Sequence, residues 1–173
     1  MIDKLDFLVR FWQLKGRHAT LGEPLDQHEQ AELLSLMQLV TADLRIPAQG
    51  PAGRVANALP AQMIGAGASL AVDVCAVTAA ALVVTGKAAL AAGAPVVVRA
   101  TDAVTGVEYV IPCKVAWAHA GSPVTIALAI DGIPTRTTFD AGVDGLRPRS
   151  SLAGVQRLFG WSAPSRAALA RRQ

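Results

Sequence analysis

Apolar residues recur along this chain with two different periods, and the period changes after a proline- and glycine-rich stretch near Arg45. Before it, Ile2, Leu5, Leu8, Val9 and Trp12 recur every three or four residues, so residues 2 to about 17 are expected to form an amphipathic helix. Gly16 and the segment from His18 to Pro24 break that pattern. A second helix is expected from Asp26, whose carboxylate can cap the first turn while Glu29 reaches back from three residues on. Its apolar stripe reads Leu33, Leu36, Met37, Val40 and Leu44. The short connection makes the pair an antiparallel helical hairpin, packed together and on the body or offering a partner surface, and neither helix sustains the heptads of a coiled coil.

After Arg45 the period drops to two. The stretch Arg45-Ile46-Pro47-Ala48-Gln49-Gly50-Pro51-Ala52-Gly53 is expected to be a linker. Val55 to Met63 is the first expected strand, placed at an edge or bulged because of Pro60. Leu70, Val72 and Val74 alternate with Ala71, Asp73 and Cys75, so Ala68 to Ala76 reads as a strand with one buried face. A tight step from Ala76 to Ala81 leads into Ala80 to Thr85. Further strands are expected at Pro95 to Arg99, at Val107 to Trp117, and at Val124 to Ile130, where the alternation is cleanest. Short strands joined by glycine-containing turns, with no helix between them, indicate an antiparallel sheet closed on itself, a small barrel.

The expected organisation is a helical hairpin at 1–45, a linker at 46–53, a barrel at 54–140 and a basic tail at 141–173. In that tail, Ser151 to Phe159 reads as a short helix and a second piece begins at Ser165.

Composition and charge narrow the picture. The 173 residues are 52% apolar and 17% charged, which suits one globular body with a real core. From Asp144 onward six arginines stand against one aspartate, a net of +5, so the formal +3 of the chain describes the tail and the rest carries about −2. That distribution argues against a nucleic-acid-binding body, as does the shortage of aromatic platforms on the strands, Tyr109 and Trp117 alone. The first segment is charged throughout and the longest uncharged apolar run, Val74 to Gly86, falls short of the ~20 residues of a membrane helix. A cytoplasmic protein with no membrane span is expected. Cys75 and Cys113 lie in strand-like runs and are expected to be buried free thiols.

Catalytic chemistry is hard to assemble. His18, His28 and His119 show no metal-ligand spacing, and no glycine-rich loop with a lysine joins a strand to a helix. Asp73, Asp102, Glu108 and Asp131 are scattered on strands and turns and are expected to face outward. With no nucleophile–base pair to name, the chain is not expected to be an enzyme, and no cofactor or metal is expected.

Between Gly50 and Phe139 the order of strands and several residue patterns resemble the PilZ domain family. Leu90 to Val98 looks like its G-x-x-V strand, Lys114-Val115-Ala116-Trp117 like its V-x-W strand, and Ile126 to Pro134 like its last strand. The resemblance implies a six-stranded barrel, commonly closed by a C-terminal helix, whose ligand is cyclic di-GMP. That ligand is held by an R-x-x-x-R motif and a [D/N]-x-S-x-x-G motif. Here the second motif falls on the step, with Ala76 for the acid or amide, Thr78 for the serine and Ala81 for the glycine. Arg54 matches the second arginine, but Gly50 stands where the first would be, and Arg45 is too distant unless the linker folds back.

Each two-pronged arginine bond to phosphate or guanine contributes roughly 1.5–3 kcal/mol. Losing one arginine together with the acid or amide forfeits about 3–6 kcal/mol, or two to four powers of ten in affinity. The expectation is a PilZ-like domain that does not bind cyclic di-GMP in the usual way. The resemblance then implies an adaptor for protein partners in bacterial motility, type IV pilus or polarity control. Its contact surfaces would be the hairpin, with a homodimer through it as one form, the Ala76–Ala81 face and the arginine-rich tail. The competing reading is a cyclic di-GMP receptor built on Arg45 and Arg54.

Overall fold

Seven strands and two helices are seen in the computed structural model, which describes residues 1–20, 24–40, 45–50, 58–88 and 90–138. Arg54, Leu44 and the whole expected tail, with its helix at Ser151 to Phe159, lie outside the described residues. The helices are α1 (Ile2–Ala19) and α2 (Gln27–Val40). The strands are β1 (Leu59–Gly65), β2 (Ala68–Val77), β3 (Ala81–Gly86), β4 (Pro95–Asp102), β5 (Val107–His119), β6 (Val124–Ile130) and β7 (Thr135–Thr138).

Every pairing is antiparallel. The order β4-β1-β2-β3-β6-β5 returns to β4 through a further β4–β5 ladder, so six strands close a barrel and β7 is added outside the ring on β5. The length of β5 makes this closure work. Val107 to Lys114 pairs with β4 along one edge, while the opposite edge meets β7 through Val107–Val110 and β6 through Cys113–His119.

Inside the ring Met63, Val74, Leu82, Val84, Val98, Tyr109, Ile111, Ile126 and Leu128 are fully or almost fully buried. Leu5, Leu8 and Val9 of α1 belong to the same apolar cluster, so the first helix completes the barrel core. Full burial of a leucine contributes about 1.5–3 kcal/mol, which makes α1 a substantial part of what holds the barrel.

The other face of α1 meets α2. Phe11 and Leu14 pack with Leu25, Leu33 and Val40. Arg10 binds Glu32 through both carboxylate oxygens, at 2.8 and 2.5 Å, and Arg17 pairs with Glu29. Partner numbers that rise on one helix as they fall on the other are the mark of the antiparallel hairpin expected from the stripes. The Arg10 hydrogen bond holds the Glu32 carboxyl below its ordinary range. The cap of α2 is also as expected: Glu29 N–H donates to Asp26 Oδ1 at 2.7 Å, and Asp26 N–H to Glu29 Oε2 at 3.2 Å.

Several expectations are corrected. The first strand starts at Leu59, with 55–57 outside the described residues, and β1 is an interior strand paired with both β2 and β4. Pro60 is accommodated because the β4 ladder begins only at Ala61, so it sits where β1 has one neighbour. Met37 lies at the exposed margin of α2 and not in its buried stripe. Asp102 is buried and not outward-facing: it accepts bonds from the Val104 and Thr105 N–H groups and from the Thr105 hydroxyl, which hold the turn into β5. Glu108 is mostly buried against Arg99, which binds it through Nε at 2.9 Å and Nη2 at 2.5 Å. β7 was not anticipated because Thr-Arg-Thr-Thr, exposed at all four positions, has no apolar alternation to read.

Candidate functional site

The step between β2 and β3 is shaped by two local devices. At Cys75 the register slips by one residue, so that Val74 pairs with Val84 but Ala76 pairs with Val83. This bulge shifts the phase of the strand. Val74 and Val77 both face the core, Ala76 is turned to solvent, and Cys75 is buried with its thiol 3.4 Å from the Thr85 hydroxyl. Thr78 then holds the turn. Its hydroxyl accepts from Ala81 N–H at 3.0 Å and donates to Ala81 O at 3.2 Å, while its own N–H donates to the same carbonyl at 2.9 Å. The Thr78 side chain is therefore occupied by the turn itself. Ala81 is buried at the start of β3.

The helical hairpin lies on this step. Trp12 Nε1 donates to the carbonyl of Ala79 at 2.9 Å, and Ala79 is buried in the cluster formed by Phe11, Leu14, Leu25, Leu33 and Val40. Lys15 stacks on the Trp12 ring at 4.4 Å. Beside the turn lies a cleft of about 260 Å³, bordered by Lys4, Phe7, Leu39, Val40, Thr78 and Ala79. Its walls are apolar, with Asp3 and Lys4 at the rim. Sequence reasoning did not single out Trp12 as a site residue, since its place in the stripe of α1 is that of any core residue.

Of the other expected site residues, Gly50 is half-buried and Arg54 lies outside the described residues. The expected linker folds back as a strap as far as Gly50: Trp117 Nε1 donates to Pro47 O at 2.8 Å, and Gln49 Nε2 to Ala118 O at 3.1 Å. The strap is anchored on β5. Ala76, Val83, Ala127 and Trp117 form one row across β2, β3, β6 and β5, so the anchor is three strands from Ala76, roughly 14 Å along the sheet. The structure thus brings Ala76, Thr78 and Ala81 together and leaves Gly50 apart from them. Arg45 is exposed on the strap, with no ion pair among the described residues.

A second groove of about 620 Å³ is bordered by residues of β1, β2 and β3 and by the cis Ser122–Pro123 turn. Asp73 and Lys87 border it, neither in an ion pair among the described residues. Cys113 is buried in the barrel, and that burial raises its thiol pKa. Among the described residues no group of three or more His, Cys, Asp or Glu is placed to hold a metal ion, and no helix is long and apolar enough to cross a membrane.

A closed six-stranded barrel carrying a helical hairpin on its β2–β3 turn is thus the class of protein that these residues define. Comparison with protein-family models and with curated proteins gives no match.

Proposed function

We propose that this chain is a non-catalytic, PilZ-like adaptor that works through protein contacts in the bacterial cytoplasm, serving motility, type IV pilus or polarity control, and that it does not bind cyclic di-GMP in the usual way. The observation that carries this reading is the Trp12–Ala79 hydrogen bond and the apolar cluster around it. The middle of the turn that the resemblance assigns to the dinucleotide, at Ala79, is covered by the protein's own helices, while Ala76 stays exposed. The turn's one hydroxyl, on Thr78, is engaged with Ala81, and its alanines offer no side-chain donor to a phosphate.

Protein contact is supported by the outer margin of α2. From Leu33 to Val40 the helix has no charged residue, and Leu34 and Met37 are 62% and 49% exposed on neighbouring positions. Apolar anchors of this kind, one turn apart, suit a groove on a partner protein.

Calorimetry on the full chain tests the nucleotide half of the reading. No saturable heat with cyclic di-GMP is expected, and saturable micromolar binding abolished by Arg54→Ala would establish the receptor built on Arg45 and Arg54 instead. The adaptor half is tested by capturing partners on the full chain and on two surface variants. Leu34→Glu is expected to lose a partner that Val104→Glu, changed at a residue 93% exposed on the β4–β5 turn, retains. Equal loss, or no loss, with both variants counts against the α2 face.

A further inference from the structure

We propose that the cleft between α1, α2 and the β2–β3 turn is one half of a two-fold interface, and that its occupant is Leu39 of a second copy of this chain. The inference stands apart from the adaptor reading, which concerns the other margin of α2. Leu34 and Leu39 are five residues apart, about 140° around the helix.

Three observations meet at the cleft. First, an apolar hollow and an apolar knob are neighbours on one surface. Leu39 borders the cleft and is 72% exposed, beside a hollow of about 260 Å³ lined also by Phe7, Val40 and Ala79. In a two-fold contact residue i of one copy meets residue j of the other and the reverse, so a knob next to a hole on one surface can be used twice, once in each direction. Second, the hollow has room for a leucine side chain, and the Leu33–Val40 half of α2 carries no charge that would repel its copy. Third, the rim holds one charge of each sign. Asp3 and Lys4 are exposed and neither forms an ion pair among the described residues, whereas Arg10, Arg17 and Arg136 are all engaged with acids. Across a two-fold axis Asp3 of one copy faces Lys4 of the other, and the pairing is made twice.

The patch is small against the roughly 800 Å² per partner of a standard interface, so the association is expected to be weak and concentration-dependent. Sedimentation of the full chain across the micromolar range is expected to show a reversible monomer–dimer equilibrium. Leu39→Asp is expected to weaken it by about tenfold or more, while Leu34→Asp, on the other margin, leaves it unchanged. Asp3→Lys and Lys4→Asp are each expected to weaken it, and the two together to restore it, because exchange of the signs preserves the pairing across the axis. All these residues are exposed, so circular dichroism should show each variant folded. A chain monomeric throughout overturns the proposal. So does a dimer indifferent to Leu39→Asp, one lost with Leu34→Asp, or a charge exchange that fails to restore what the single reversals removed.

Discussion

Asp6 Oδ1 accepts a hydrogen bond from the Tyr109 hydroxyl at 2.8 Å, joining the first helix to the longest strand across 103 positions of sequence. The same oxygen is ion-paired with Arg136, whose Nε lies 2.9 Å away, so one carboxylate ties α1, β5 and β7 together. The Tyr109 side chain is completely buried, whereas Asp6 is only partly so.

Removing the acceptor should therefore cost more than removing the donor. Asp6→Ala leaves the buried hydroxyl without its acceptor and Arg136 without its acid, and is expected to cost about 1–3 kcal/mol. Tyr109→Phe keeps the Asp6–Arg136 pair and gives up one hydrogen bond, about 0.5–1.5 kcal/mol. Urea unfolding of both single variants and the double variant measures the difference and the coupling.

Tyr109 also sets an alkaline limit. Burial first, and then the hydrogen bond to Asp6, push its pKa up from the ordinary 10.0 to about 12. The unfolded chain ionises first as the pH rises, so the contribution of Tyr109 is complete below about pH 10 and is lost between there and about pH 12. It is the only tyrosine of the chain, so ultraviolet difference absorbance follows it without interference. The titration is expected to fall toward the ordinary value in Asp6→Asn.

The acid limb has the opposite sign. Hydrogen bonds from Thr105 and Val104 hold the Asp102 carboxyl below its ordinary range. Its contribution is present above the unfolded carboxylate pKa and is lost as the pH falls through the lower folded value. Stability measured against pH should show a shallower acid limb in Asp102→Asn than in the parent chain.

Leu5→Ala tests whether the first helix belongs to the barrel. Leu5 is fully buried among barrel residues, and its truncation is expected to cost about 2–5 kcal/mol in a single cooperative transition. An early transition confined to the helices, with the barrel unaffected, would contradict a shared core.

Two glycines should respond in opposite directions. At Gly16 an added Cβ would meet the Cδ1 of Ile133 at 2.5 Å, the far end of a half-exposed side chain that can turn away. Gly16→Ala should then recover part of the roughly 1 kcal/mol that glycine costs inside a helix. Gly132 has a φ of +146°, and its added Cβ would lie 3.0 Å from the rigid ring of Pro112. Gly132→Ala is expected to destabilise by about 1–3 kcal/mol. Thermal midpoints of the two variants should move apart.

Local pattern was enough to read much of this protein. Val124 to Ile130 is a strand at the bounds its alternation implies, and the Asp26–Glu29 cap is formed as drawn, because both depend on groups within a few residues of each other. The closed antiparallel barrel was legible for the same reason: each strand carries its own period-2 signal, and short glycine turns leave few ways to connect them. Of the step, its position was legible, but Thr78 reads in the sequence as a place in the ligand motif and not as the residue whose bonds to Ala81 hold the turn. The bulge at Cys75, which turns Ala76 outward, was not legible, since a one-residue slip against β3 leaves no mark on β2 itself. Nor was the covering of the step foreseeable, for Trp12 and Ala79 meet across 67 residues, and Asp6 meets Tyr109 from farther still. The amphipathic stripes required α1 to bury a face. Only the packed structure decided that its two faces would be shared between the barrel interior and α2, since apolar burial is non-directional and is settled by which surfaces fit.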